Sequence, residues 1–143
     1  MVMIMSGADI MNYDKERREA IDAGNRALMS LRSAQSDLHS AKNWGIVDLL
    51  GGGLLTDLIK HSKMNNAQRH MEQAKWDLER FGRELSDVSG YVKFDFNTAD
   101  FLSFADYFFD GLLADWMMQD RINKARNQVD EAIKRVEYIL ARL

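Results

Sequence analysis

The sequence predicts an all-α fold, an elongated antiparallel bundle of three long helices with a coiled-coil-like period, and three observations predict it. Proline is absent from all 143 residues, which removes the main breaker of long helices. Three segments carry apolar residues at alternating steps of three and four, the period of left-handed coiled coils. Residues 53–85 align without a gap with residues 111–143, identical at nine of 33 positions, so two helical segments share one plan. Their common entrance, Gly-Leu-Leu-x-Asp, lies outside the heptad register and is not a by-product of it.

The first helix is expected over residues 14–42, where Ala20, Gly24, Ala27, Leu31, Ala34, Leu38 and Ala41 form one stripe. Alternate small residues in that stripe let backbones approach closely, so Ala27, Ala34 and Ala41 read as core spacers. The second helix is expected over 54–88, with Met64, Ala67, Met71, Ala74, Leu78, Phe81, Leu85 and Val88 facing inward. The third is expected over 112–143, with Met118, Ile122, Ala125, Val129, Ala132, Val136, Ile139 and Leu143 in line and Ile133 and Leu140 widening the stripe. Helices of about 30 residues span roughly 45 Å, which makes the bundle a rod.

The connectors are more apolar than the helices they join. The first runs from Asn43 through Trp44 to Gly51-Gly52-Gly53, and the three glycines predict a flexible or left-handed passage, since each would cost a helix interior about 1 kcal/mol. In the second, Tyr91 to Asn97 alternates so that Val92, Phe94 and Phe96 would share one side of an extended strand. A short helix near 100–110 follows it.

The length fits a single domain over residues 1–143, and 46% hydrophobic against 29% charged residues is a folded composition. Cysteine is absent, so disulfides and thiolate zinc sites are excluded. The start, Met1 to Met5, has no basic n-region and is too short for a signal sequence or a span. The most apolar window, residues 101–118, contains Asp106, Asp110 and Asp115, and each carboxylate would cost ~2.5–3.5 kcal/mol at mid-bilayer. A membrane association is therefore not expected, and a cytoplasmic protein is.

The three helical segments carry a net charge of +4 and the two connector regions a net charge of −6. No basic stripe is available to follow a phosphate backbone, which argues against nucleic acid as a partner.

Candidates for chemistry are few. The repeat offset of 58 pairs Asp48 with Asp106 and Asp57 with Asp115. Convergence of these four about a pseudo-two-fold axis would place oxygen ligands around a divalent cation. Capping of first helical turns by Asp57 and Asp115 is the plainer expectation. His39, His61 and His70 lack the spacing of a histidine metal site. The glycine run lacks the Gly-Lys-Ser/Thr that would make it a phosphate loop. Neither a catalytic residue nor a cofactor is assigned, and the chain is expected not to be an enzyme.

Trp44 and Trp116, with Phe101, Phe104, Tyr107 and Phe108, are the candidate contact surface. Phe101, Phe104 and Phe108 fall at i, i+3 and i+7 on one helical stripe. Folding back over the bundle is the first expectation for this stripe, because an exposed patch of that size is an aggregation hazard. A partner or dimer interface is the second.

The run Asn43 to Leu55, Lys60-His-Ser-Lys-Met64, Phe104-Ala-Asp-Tyr-Phe-Phe-Asp-Gly-Leu112 and Asp115-Trp116 together resemble a family of short helical Firmicutes proteins with no assigned activity. The resemblance implies a bacterial cytoplasmic helical protein and is silent on chemistry. The function expected is that of a non-enzymatic interaction or scaffold module. It would form a homodimer, or bind a protein partner, through helix faces and the aromatic connector. The alternative is a small-ligand or divalent-cation-binding protein using the four aspartates.

Overall fold

The computed structural model describes the backbone of residues 6–51, 54–115 and 119–143, and the side chains of residues 6–39, 66, 68–106 and 125–143. Four helices account for nearly all of it: α1 (Gly7–Gly51), α2 (Leu54–Ser89), α3 (Thr98–Asp115) and α4 (Gln119–Leu140). No strand occurs among the described residues.

Helix α1 begins at a capping box. Ser6 Oγ accepts the Asp9 N–H at 3.1 Å, and the Asp9 carboxylate accepts the Ser6 hydroxyl at 2.9 Å, so donors that the first turn leaves open are met locally. The helix does not stop at 42 as the sequence predicts but continues through Trp44 to Gly51. No proline interrupts this apolar run, and one glycine at 45 costs only about 1 kcal/mol.

Helix α2 closes where Ser89 Oγ donates to the Ser86 carbonyl at 2.6 Å and the Tyr91 N–H donates to the Val88 carbonyl at 2.9 Å. Residues 90–97 then turn and bend instead of forming the expected strand. A strand needs a neighbour for its backbone groups, and none lies beside this segment among the described residues. Phe94 and Phe96 stack on each other, with centroids 4.6 Å apart and planes 16° from parallel. Asn97 caps α3, its Oδ1 accepting the Ala99 N–H at 2.8 Å.

The boundary between α3 and α4 differs from the expected one. Helix α3 extends past residue 110 to Asp115, and α4 starts at Gln119 instead of 112. The Gly111-Leu-Leu-x-Asp115 motif therefore ends α3, whereas Leu54-Leu-x-Asp57 opens α2.

Helix α1 is the common partner. It runs antiparallel to α2, since Ser30 donates to Asp77 and Asp37 bonds His70. It also runs antiparallel to α4, since Arg17 donates to the Leu143 carbonyl and Gln35 donates to Asp130 at 2.6 Å. Among the described residues helix α3 lies mainly on α2 and scarcely approaches α4.

The stripes become the core. Ala20, Ala27, Leu31, Ala34 and Leu38 are fully buried, as are Met71, Ala74, Leu78, Phe81, Leu85 and Val88, and Ala125, Val129, Ala132 and Val136. Ile133 and Ile139 are 8% and 4% exposed. Ala41, Met64, Ala67, Met118 and Ile122 belong to the same stripes but their side chains lie outside the described residues. Gly24 is needed as a glycine: a Cβ there would sit 2.7 Å from Leu140 Cδ2 and 2.9 Å from the Phe81 ring.

Candidate functional site

The aromatic stripe of α3 is divided between core and edge. Phe101 is 4% exposed and meets the Phe81 ring edge-on, with centroids 5.5 Å apart at 81°. Phe104 is partly buried, 6.3 Å from Phe101, and the Arg135 guanidinium of α4 lies 4.0 Å above its ring. These two follow the first expectation and cover the bundle. The side chains of Trp44, Tyr107, Phe108 and Trp116 lie outside the described residues.

Among the described residues, the widened third stripe is likewise taken up within the chain. Ile133 is buried, and Leu140 and Phe104 pack partly buried against the core. What stays outside is different. Met29 is 70% exposed, Trp76 62%, Met11 74% and Ile10 50%. Met29 and Trp76 directly precede Ser30 and Asp77, which bond to each other, so both sit at one level of the α1–α2 pair. Position 76 lies off the Met71, Ala74, Leu78 stripe, so the heptad register alone places Trp76 on the solvent side; the sequence reading passed over it.

Of the four expected aspartates, Asp106 is exposed on α3 and joins no carboxylate cluster among the described residues. The side chains of Asp48, Asp57 and Asp115 lie outside them. A different acidic group forms where the start of α1 passes the end of α2. Carboxylate oxygens of Glu16, Glu84 and Asp87 lie within 4.8 Å of one another, and these are the described residues whose ligand atoms could converge on a cation.

The group is electrostatically loaded. One oxygen each of Glu16 and Glu84 is sealed from water with no hydrogen-bond partner. Loss of hydration pushes the Glu16 carboxyl above its ordinary value, and Glu19 and Asp87 add to the rise. The Glu84 carboxyl is raised by the same loss, then by Glu19, Asp87 and Glu16. Lys15 beside Glu16 and Arg80 beside Glu84 oppose these shifts without cancelling them. Close carboxylates repel one another, so protonation of Glu16 or Glu84 relieves that repulsion. Each acid is polar spacing off its helix's stripe, and only the antiparallel register of α1 and α2 brings them together.

Two of the histidines serve the seams, and the side chain of His61 lies outside the described residues. His70 bonds Asp37 between α1 and α2, and His39 lies 3.4 Å from Arg126 between α1 and α4. No helix among the described residues is long and apolar enough to cross a membrane. No protein-family model, curated protein or solved structure matches the chain.

Proposed function

We propose that this chain is a non-enzymatic interaction or scaffold module that self-associates through its outer helix faces. The observation that carries the reading is Trp76, a tryptophan 62% exposed on α2. Its ring leaves a large apolar area in water, and tryptophan is among the side chains that most often dominate binding at interfaces. Met29, at the same level on α1, is an adaptable apolar neighbour for such a contact. Burial of Phe101 favours these faces over that part of the aromatic connector.

The repeat supports a scaffold built by duplication. Asp37 of α1 bonds His70 of α2, while the flanking Gln35 and His39 reach Asp130 and Arg126 of α4. Gln128, which the offset of 58 pairs with His70, lies between those two residues. Two related helices would then grip one central helix at matching heights.

Trp76→Ser together with Met29→Ser tests the surface. The pair should abolish association in sedimentation velocity while helix content and melting temperature hold. Unchanged association in that variant would sink the assignment of this face.

A further inference from the structure

Among the described residues helices α3 and α4 scarcely touch, and between them lies a cleft of about 440 Å³. That volume falls in the range of roughly 300–1,000 Å³ typical of small-molecule sites. Phe101 and Ile139, each 4% exposed, line its depth, and Phe96 and the 47% exposed Tyr138 line its sides. Phe96 is held from behind by its stack on Phe94. The apolar part is therefore wide, aromatic and supported.

The charges around it sort into one tied pair and two loose groups. Arg135 donates from Nε and a terminal nitrogen to Glu131 Oε1 at 3.3 and 2.9 Å, and its guanidinium rests over Phe104. That pair neutralises itself. Asp100, in the first turn of α3, and Lys134, on α4, also line the cleft, and neither side-chain charge has a partner among the described residues. One unpaired anion thus stands on one helix and one unpaired cation on the other.

We infer that this cleft binds a small zwitterion with an aromatic body, of the chemical class of the free aromatic α-amino acids. The ligand's ring rests against Phe101 and Ile139, its carboxylate meets the Lys134 ammonium, and its ammonium meets the Asp100 carboxylate. A simple anion would leave Asp100 facing it, and a simple cation would leave Lys134. Only a ligand carrying both charges answers both helices, and in doing so it bridges α3 and α4. This inference stands apart from self-association, since it uses neither Trp76 nor Met29.

The test is a titration of the full chain, followed by backbone amide shifts, with L-phenylalanine, N-acetyl-L-phenylalanine and L-phenylalanine amide. L-phenylalanine should shift the amides around Asn97, Phe101, Lys134 and Tyr138, and the two singly charged analogues should bind about tenfold more weakly. Asp100→Asn should weaken L-phenylalanine and the amide but not the N-acetyl compound. Lys134→Met should weaken L-phenylalanine and the N-acetyl compound but not the amide. Both side chains are exposed, so both variants retain the fold. Equal binding of all three compounds, shifts confined to other regions, or no shift at ~10 mM ligand would overturn the proposal.

Discussion

The edge of one aromatic ring against another joins α3 to the rest of the core: Phe101 meets Phe81 at 5.5 Å and 81°. Phe81 is fully buried on α2, so removing its partner opens a cavity that the central helices cannot refill. Phe101→Ala should lower stability by about 3–5 kcal/mol in urea denaturation. Amide exchange should accelerate in α3 more than in α2, because α3 depends on this contact and on Leu102 at Gly82. Uniform acceleration across all helices would show instead that α3 unfolds only with the whole.

The helical class and the buried stripes were legible because a 3-4 spacing has one solution, a helix with one apolar face. Leu31, Leu78 and Val136 could be read as core from that spacing alone. Helix ends were less legible. Trp44 to Gly51 carries too little helix-breaking chemistry to end α1, and Tyr91 to Asn97 alternates like a strand but has no strand beside it among the described residues. The acidic cluster was hidden for a third reason. Glu16 and Glu84 are 68 positions apart, and nothing local reveals that the antiparallel pairing of α1 and α2 sets them together.

Close packing at two glycines sets a second expectation. Alanine at position 24 gains about 1 kcal/mol of helix propensity but must displace Leu140 and the buried Phe81 ring. Overpacking of that kind costs about 1–3 kcal/mol, so Gly24→Ala should destabilise by up to about 2 kcal/mol net, read as a lower urea midpoint. At position 82 a Cβ would come within 2.3 Å of Leu102 Cδ2. Leu102 is half-buried and can turn outward, so Gly82→Ala should loosen α3 while sparing the α1–α2 pair. A stabilised Gly24→Ala protein would mean that the helices sit farther apart than described.

The carboxyls of Glu16 and Glu84 make stability depend on pH. Both are raised above their ordinary value of 4.5, so the folded chain binds more protons than the unfolded chain just above that pH. Stability therefore falls as pH climbs from about 4.5 through the raised values, and this cluster exacts no penalty below about 4.5. Glu84→Gln removes one charge from the group. It should raise the melting temperature at pH 7 and flatten the profile above pH 4.5, with little change at pH 4. A variant that melts lower than the parent at pH 7 would show that the Glu84 charge is stabilised by a partner.

Light scattering after size exclusion, at micromolar chain concentration, weighs most directly on the proposed role as a self-associating module. Exposure of Trp76 and Met29 on outer helix faces leads to an expected mass of about twice 16.5 kDa, with a two-fold dimer burying the same patch on both copies. A single species at 16.5 kDa across that concentration range would contradict self-association and leave those side chains as isolated surface hydrophobes.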